Sequence, residues 1–270
     1  MSPRESYPLR RDEAEHARLA GQARFWSADA ACLFALAGVD EGWTVADLGC
    51  GTLDVAEVLA TRVGPAGRVR ALDNDGGLVA RMGTRSVLAS GASVRVEEGD
   101  AYATGWPAGS LDATHARFLA APAGRLDDLL REMRRLVRPG GLVLLQEPDA
   151  DSWTMPAADG AWQELRALIR AGFARRGGDF DAGRQLASAM ARHGMSDIEE
   201  RRVVRVISTR HPYAALPLAF ARQLRELWLD EGLVGSRELD PILDEVRGAL
   251  ATEGNSYTFT LVQCWARVPH

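Results

Sequence analysis

Apolar positions along the chain form short runs that alternate with stripes of helical spacing, the pattern of an α/β protein. The clearest run covers residues 44–48, where Val45, Ala46 and Leu48 make a short apolar segment typical of a strand buried on both faces. Closely spaced glycines follow this run, and helical spacing begins at Asp54. The pattern therefore predicts a strand, a sharp turn and a helix whose first N–H groups favour an anion.

The same reading predicts six further strands and several helices. The strands cover residues 68–73, 94–98, 110–118, 142–146, 203–208 and 257–268. The helices cover a stretch ending near 36, then residues 78–90, 125–136, 162–174, 182–192 and a helical insertion at about 211–252. Helices that alternate with apolar strands indicate a parallel sheet covered on both faces.

Composition changes this picture little and excludes some functions. The chain of 270 residues has a formal net charge of −5, which argues against a surface that neutralises nucleic-acid phosphates. The sequence contains no lysine, so it contains no Gly-Lys-Ser/Thr phosphate loop. Arginine in place of lysine, together with abundant alanine and glycine, is the bias of a GC-rich genome.

Cysteine usage and the chain's apolar runs bear on location. Cys32, Cys50 and Cys264 have no metal or redox spacing, so we expect neither a metal site nor a disulfide framework. The polar segment at residues 1–11 does not have the apolar core of a signal peptide, and no apolar run is long enough to span a bilayer. A cytoplasmic protein that binds neither membrane nor nucleic acid is expected, and homodimerisation is left open.

The glycine turn after the first strand differs from the common dinucleotide turn. Gly49 and Gly51 give the backbone freedom for a sharp turn and for close approach of a ligand. A dinucleotide fingerprint has a third glycine where this chain has Asp54. Asp47 would repel a pyrophosphate, yet it suits a ligand with an ammonium group.

Several motifs share their order with one enzyme family. They are Asp-Leu-Gly-Cys-Gly-Thr at 47–52, Gly-Asp-Ala at 99–101, His-Ala-Arg-Phe at 115–118, Arg-Pro-Gly-Gly at 138–141 and Gln-Glu-Pro-Asp at 146–149, preceded by Glu15, Arg18-Leu19 and Gln22. In this order the chain resembles the class I S-adenosylmethionine-dependent methyltransferases of small-molecule, natural-product type. The resemblance implies a doubly wound, mostly parallel seven-stranded sheet with an antiparallel last strand and a helical cap. It also implies a cap at 1–40 and a core at 41–270.

The resemblance also implies a cofactor, S-adenosyl-L-methionine, and the residues that hold it. Asp73 at the end of the second strand would take both ribose hydroxyls, with Asn74 or Asp75 as less favoured alternatives, and Asp100 would accept from the adenine amine. The full set of implied cofactor residues is Gln22, Asp47, Gly49, Cys50, Gly51, Asp73, Asn74, Gly99, Asp100, Ala101, Ala116 and Arg117. Most of them fall at the carboxyl ends of predicted parallel strands, where ligands bind in such sheets.

Acid–base and acceptor residues are less clearly marked. His115 and His211 are the candidate general bases, although a histidine in a buried strand is more often a satisfied structural residue. His16, Trp153 and Tyr213 are candidate contacts to the methyl acceptor. His16 and Gln22 could equally lie on a solvated helix face.

The predicted function is methyl transfer from S-adenosylmethionine to a small-molecule acceptor, in bacterial secondary metabolism. An alternative is a protein of the same fold that binds the cofactor without methyl transfer, as a cyclase or an assembly partner. Two departures from the family pattern motivate this alternative. The chain has Leu53 where the family often has glycine, and Ala121-Pro122 where relatives often carry Glu-His. A third interpretation is a pyridine-nucleotide oxidoreductase, but Asp54 at the place of the third glycine argues against it.

Overall fold

The computed structural model describes residues 13–83, 85–87 and 91–270, and within these ranges eight strands form one sheet. The strands are β1 (Thr44–Leu48), β2 (Arg68–Asp73), β3 (Arg85–Val87), β4 (Ser93–Glu98), β5 (Leu111–Arg117), β6 (Val137–Pro148), β7 (Ser196–Ser208) and β8 (Ser256–Arg267). Their order across the sheet is β3-β4-β2-β1-β5-β6-β8-β7. The five central strands are parallel, whereas β3, at one edge, and β8 run antiparallel to their neighbours. The predicted α/β fold with its antiparallel last strand is confirmed.

Ten α-helices surround this sheet in the described ranges. They are α1 (Glu13–Phe25), α2 (Ser27–Ala37), α3 (Asp54–Val63), α4 (Gly76–Met82), α5 (Ala120–Ala123), α6 (Leu126–Leu136), α7 (Asp159–Arg175), α8 (Leu186–Arg192), α9 (Leu216–Asp230) and α10 (Ser236–Ala251). Short 3-10 helices span Ala150–Ser152, Pro156–Ala158, Ala182–Gln185 and Pro212–Ala215. None of the helices in these ranges is long and apolar enough to span a membrane.

One predicted helix is shorter than expected. The prediction of helix over 78–90 is wrong at residues 83 and 85–87, because Gly83 takes a left-handed φ of 73° and Arg85–Val87 pairs with β4. This pairing adds the eighth strand at the sheet edge. Residues 1–12, 84 and 88–90, on which parts of the predicted cap and helix fall, lie outside the described residues. The division at residue 40 stays a prediction.

Both faces of the sheet are covered by apolar helices, as the alternating pattern requires. On one face α2 and α3 pack against the strands, and on the other α6 and α8 do so. In α6 the side chains predicted to point inward are fully buried: Leu129, Leu130, Met133 and Leu136. A third apolar cluster joins α7, α9 and α10 beyond the end of the sheet, and it is rich in aromatic rings. Burial of these side chains fixes the sheet between its layers.

The order of strands determines where a ligand can bind. From β1 the chain passes to β2 and β4 on one side, and then returns to place β5 and β6 on the other. Between β1 and β5 the topology therefore switches, and the helices leave a crevice at the carboxyl ends of the strands.

Candidate active site

A cleft lies at this switch point, at the carboxyl ends of β1, β2, β4 and β5, with α1 along one wall. It encloses about 1190 Å³, counted to its open mouth. The predicted cofactor residues that line it are Gln22, Asp47, Gly49, Cys50, Gly51, Asp73, Asn74, Gly99, Asp100, Ala101 and Arg117. Residues far apart in the sequence thus share one concave surface. Their role toward a cofactor stays a proposal, taken up below.

The glycine turn after β1 is bonded to the end of β2. The N–H groups of Gly49 and Cys50 both donate to the Leu72 carbonyl, at 2.8 and 3.0 Å. The Gly51 N–H donates to Asp73 Oδ2 at 2.9 Å. Both glycines have left-handed φ angles, 71° and 52°. Because the protein itself uses these three donors, the turn offers a close backbone surface and not a cradle for a phosphate.

The last residue of this turn, Leu53, has the left-handed backbone conformation that favours glycine. Its φ of 67° lies in the left-handed region, which a residue with a Cβ adopts at a cost of about 1–2 kcal/mol. Its side chain is only 8% exposed and packs in the core between α3 and the sheet. Burial of a leucine contributes about 1.5–3 kcal/mol, enough to offset the strain. The departure at Leu53 is therefore accommodated without opening the turn.

Two carboxylates at strand ends face the cleft. Asp73 accepts the Gly51 N–H on Oδ2 and the Asp75 N–H on Oδ1, at 2.9 and 3.0 Å. Asp100 accepts the Tyr102 N–H on Oδ1 at 2.9 Å. A carboxylate oxygen can accept more than one hydrogen bond, so a backbone bond does not by itself prevent either side chain from accepting from a ligand hydroxyl or amine. The backbone bonds hold the two acceptors in fixed orientations at the ends of β2 and β4.

Asp47 and Arg117 both line this cleft, and each has a buried polar atom. Neither Asp47 Oδ2 nor Arg117 Nη1 has a hydrogen-bond partner among the residues that the structure describes. The other nitrogen, Arg117 Nη2, donates to the Ala23 carbonyl of α1 at 3.4 Å, and burial lowers the pKa of the guanidinium. An unpaired buried charge is costly, so both atoms require a polar partner. One acceptor and one donor beside the glycine turn suit a ligand that carries both an ammonium and a carboxylate.

His115 is placed differently from the expected general base. Its side chain is 1% exposed and is absent from the cleft wall as described. Nδ1 lies 2.8 Å from Asp47 Oδ1, and Nε2 lies 2.8 Å from Gln146 Nε2. Burial lowers the pKa of the imidazole, while Asp47 opposes that shift. The catalytic assignment of His115 is corrected accordingly, because both ring nitrogens are engaged and neither reaches the cleft.

His211, Tyr213 and Trp153 also lie away from the described cleft wall. His211 is exposed, and its Nδ1 accepts the Tyr213 N–H at 3.1 Å, so it caps the 3-10 helix Pro212–Ala215. Tyr213 stacks on Phe25 at 4.3 Å and its hydroxyl accepts from the Trp26 indole. Trp153 is 1% exposed against other aromatic rings. In the structure these residues cap a short helix and pack in the core, and their catalytic and acceptor roles stay predictions.

Ala116 is the one implied cofactor residue that does not line the described cleft. Its side chain is fully buried in β5, among apolar residues of the α6 face. The alternation of a strand turns neighbouring side chains to opposite faces, so only Arg117 at the strand end reaches the ligand side.

Helix α1 supplies its own polar wall to the cleft. Gln22 accepts from Arg18 at 2.7 Å, and Arg18 is paired with the buried Glu15. His16 lies 3.2 Å from Asp75 through Nε2, and its Nδ1 is 2.5 Å from Arg81 Nη2. The helix face with Glu15, His16 and Gln22 therefore points into the cleft and not into solvent. Both nitrogens of His16 have neighbours, Asp75 before the start of α4 and Arg81 in its last turn, and these contacts tie α1 to α4.

Behind the cleft, Glu147 at the end of β6 holds the loop that follows β5. Its fully buried carboxylate accepts from the N–H groups of Leu119, Ala120 and Ala121, at 2.8 to 3.0 Å. Burial raises the pKa of Glu147 to about 7, although the three donors act in the opposite direction. Leu119 lines the cleft, so this carboxyl group supports the cleft floor from below.

The raised pKa of Glu147 predicts a pH-dependent stability. The folded state retains the proton at a pH where the unfolded chain, with an ordinary glutamate pKa, has lost it. This contribution to the free energy of unfolding is complete below about pH 4.5 and is lost as pH rises toward 7. Relative to Glu147→Gln, the parent should lose about 2–3 kcal/mol between pH 5 and 8. Urea unfolding of both proteins across this range measures it, and a constant difference would contradict it.

The segment that forms most of the cleft is similar to a known family. Residues 45–141 match the family model described as a methyltransferase domain. This segment runs from β1 into β6 and contains the glycine turn, both strand-end carboxylates and Arg117. Residues 45–141 of this chain thus resemble a methyltransferase domain. The methyltransferase domain thus coincides with the walls of the cleft, apart from α1.

Curated relatives resemble only part of this chain. It is 35% identical over 120 residues to an uncharacterised 37.1 kDa protein in transposon TN4556 of Streptomyces fradiae, covering 44% of this chain and 34% of that protein. It is 32% identical over 112 residues to the ubiquinone/menaquinone biosynthesis C-methyltransferase UbiE of Hahella chejuensis, covering 41% and 45% respectively. The chain therefore spans about a third to a half of these relatives' lengths.

Solved structures share the fold at low identity. Phosphoethanolamine N-methyltransferase 2 of Haemonchus contortus, solved with phosphomonomethylethanolamine and S-adenosylhomocysteine, superimposes with a TM-score of 0.54 at 16% identity. The match covers 100% of this chain and 61% of that one. The two chains therefore share the arrangement of sheet and helices.

Some residues of the cleft wall are absent from the sequence-based prediction. Tyr102 follows the Gly-Asp-Ala motif directly, and Phe118 and Leu119 follow Arg117, so their place after a strand end was the available signal. Phe118 takes a left-handed φ of 53°, which a bulky residue rarely adopts. Such a local backbone conformation leaves no trace in apolar periodicity.

Proposed function

We propose that this protein binds S-adenosylmethionine in the cleft and transfers its methyl group to a small-molecule acceptor. The observation that carries the proposal is the pair of buried, unpartnered atoms at one end of the cleft, Asp47 Oδ2 and Arg117 Nη1. The methionyl part of the cofactor ends in an ammonium and a carboxylate, which are the partners these two atoms require. A ligand of this kind removes two uncompensated buried groups at once.

The rest of the cleft fits the rest of the cofactor. Asp73 at the end of β2 would accept the ribose hydroxyls, and Asp100 after β4 would accept the adenine amine. Asn74, Gly99 and Ala101 would line the nucleoside. The bound cofactor supplies an electrophilic methyl group on a sulfonium. The protein's own task is then to hold the acceptor in line and exclude water.

The side chains of the cleft also indicate which kind of methyl acceptor the protein can use. His115 is committed to Asp47 and Gln146, and His16 has neighbours at both nitrogens. Burial raises the pKa of Tyr102 well above its ordinary value, which disfavours its phenolate. We therefore favour an acceptor that arrives already nucleophilic, such as an electron-rich ring carbon or a thiolate, for which positioning suffices. Reduced quinone precursors are the acceptors to test first, because the similar protein from Hahella chejuensis is a C-methyltransferase of ubiquinone/menaquinone biosynthesis.

The proposal predicts that the protein binds S-adenosylmethionine and S-adenosylhomocysteine but not NAD. Asp54, at the start of α3, occupies the place of the third glycine, and Asp47 stands before the turn, so a pyrophosphate would meet two carboxylates. Isothermal titration calorimetry with the three ligands measures this preference. Affinity for NAD alone would refute it.

Methyl transfer itself requires a separate assay. Protein incubated with S-adenosylmethionine labelled in its methyl group and with reduced quinone precursors should release S-adenosylhomocysteine and label the acceptor. Binding of the cofactor without transfer to quinone, phenol, thiol or amine acceptors would favour the alternative, a cofactor-binding protein that does not methylate.

A further inference from the structure

A continuous row of buried polar side chains crosses the sheet from the cleft to its far edge. It takes one residue from each of five adjacent strands: Asp47 of β1, His115 of β5, Gln146 of β6, Gln263 of β8 and Arg201 of β7. The first four are at most 2% exposed. Strand spacing of about 4.8 Å makes the row roughly 19 Å long. Its members lie on the sheet face that packs against α2, where Gln263 Nε2 also donates to the Asp29 carbonyl.

Each member of the row is within hydrogen-bond distance of the next. Asp47 Oδ1 is 2.8 Å from His115 Nδ1, and His115 Nε2 is 2.8 Å from Gln146 Nε2. Gln146 Oε1 is 2.9 Å from Gln263 Nε2, and Gln263 Oε1 is 3.2 Å from Arg201 Nη1. Strand pairing places Asp47 opposite His115, and Gln263 opposite both Gln146 and Arg201. The sheet itself therefore sets the spacing of the row.

The chemistry of the two ends fixes the direction of every bond. A guanidinium can only donate, so Arg201 requires the oxygen of Gln263 to face it. The Gln263 amide nitrogen then donates to Gln146 Oε1, which turns the Gln146 amide nitrogen toward His115. That nitrogen donates, so His115 Nε2 must accept and the ring proton must sit on Nδ1. Nδ1 donates in turn to Asp47, whose carboxylate can only accept.

We propose that this row is a positioning device that delivers a fixed N–H donor to Asp47, with His115, Gln146 and Gln263 as its positioning residues. His115 holds Oδ1 of Asp47, which leaves the unpartnered Oδ2 for the ammonium group of a ligand in the cleft that Asp47 lines. Arg201, at the far end of the row, sets the tautomer of His115 through the two glutamines. The identity of the ligand that Asp47 would bind rests on the proposed function. The direction of the hydrogen bonds along the row can be tested without any ligand.

The direction of the hydrogen bonds in the row is tested by nitrogen-15 NMR of the histidine rings. The ring signals of His115 are assigned by their loss in His115→Asn. In the parent we expect a neutral ring with the proton on Nδ1 at neutral pH. In Gln146→Glu the amide donor is replaced by a carboxylate, so Nε2 should also become protonated and show an imidazolium signature. A parent ring protonated on Nε2, or an unchanged ring in Gln146→Glu, would overturn the assignment.

The positioning role is tested by calorimetry on three variants. His115→Leu removes the donor to Asp47 and should weaken S-adenosylmethionine binding at least about tenfold. It should leave binding of 5′-methylthioadenosine, which lacks the ammonium, unchanged. His115→Asn keeps an N–H near the place of Nδ1 and should restore most of the affinity. Thr114→Val, a buried change at the neighbouring position of β5, is the control and should bind as the parent does.

The outcomes separate the two proposals. His115→Leu binding S-adenosylmethionine as tightly as the parent would overturn the positioning role. Equal weakening of both ligands would also overturn it, because a general distortion of the cleft would then explain the loss. If the parent binds neither ligand, the proposed function fails, and the ring spectra still decide whether the row runs toward Asp47.

Discussion

Asp47→Asn is expected to weaken S-adenosylmethionine binding about 100-fold, or ~3 kcal/mol, and to leave 5′-methylthioadenosine binding unchanged. The asparagine oxygen can still accept from His115 Nδ1, so the change falls on the atom that faces the cleft. A buried carboxylate that pairs with an ammonium loses both charge and acceptor when it becomes an amide. Isothermal titration calorimetry with both ligands measures the effect.

The nucleoside ligand is the internal control for this prediction. 5′-Methylthioadenosine retains the adenine, ribose and sulfur of the cofactor but has neither ammonium nor carboxylate. Arg117→Met should reproduce the selective loss from the other end, because Nη1 would no longer meet the carboxylate. Weakening of both ligands to the same extent by Asp47→Asn would place the amino-acid end of the cofactor elsewhere.

Asp73→Ala should show the complementary behaviour and weaken both ligands at least about 30-fold. Two charge-assisted hydrogen bonds to the ribose, each worth about 1.5–3 kcal/mol, disappear together. The same change also releases the Gly51 and Asp75 N–H groups that the carboxylate holds, so the glycine turn loses an anchor. Calorimetry with S-adenosylmethionine and 5′-methylthioadenosine gives the two affinities.

Glu97→Ala is the matched control for Asp73→Ala. Glu97 is another carboxylate near the end of a parallel strand, but it pairs with Arg70 and is not part of the described cleft wall. Its removal should leave both affinities unchanged. If Asp73→Ala binds both ligands as the parent does while the thermal unfolding of both variants stays normal, the ribose does not lie at the end of β2.

The sequence predicts the sheet and one wall of the cleft well, for a physical reason. Parallel strands buried on both faces must be apolar, and the residues after them must turn, so local pattern predicts where β1, β2 and β4 end. The choice of Asp47, Asp73 and Asp100 at these ends rests on the resemblance to the methyltransferases. The family match over residues 45–141 agrees with that pattern. The short strand β3 is missed because three residues at a sheet edge carry too little periodicity to compete with a helical stripe.

Partners across the sheet are beyond what such a pattern can predict. His115 lies in a buried strand, and the sequence leaves open whether it serves as a base or as a satisfied structural residue. The answer depends on Gln146, 31 residues away, and on Asp47, 68 residues away. Tyr213 and Trp153 were expected at the acceptor because aromatic rings suit ligands, yet the same rings suit a core. Burial of the ring decides between these two uses.

The polar row across β1, β5, β6, β8 and β7 has a consequence for how this sequence can change over evolutionary time. A single substitution by an apolar residue leaves its neighbours buried with unmet donors or acceptors, at about 1–3 kcal/mol for each orphaned group. Replacement of all members together would remove that penalty. Single-step drift is therefore disfavoured at five positions scattered between residues 47 and 263. Among descendants of this chain these positions should be retained or exchanged as a set.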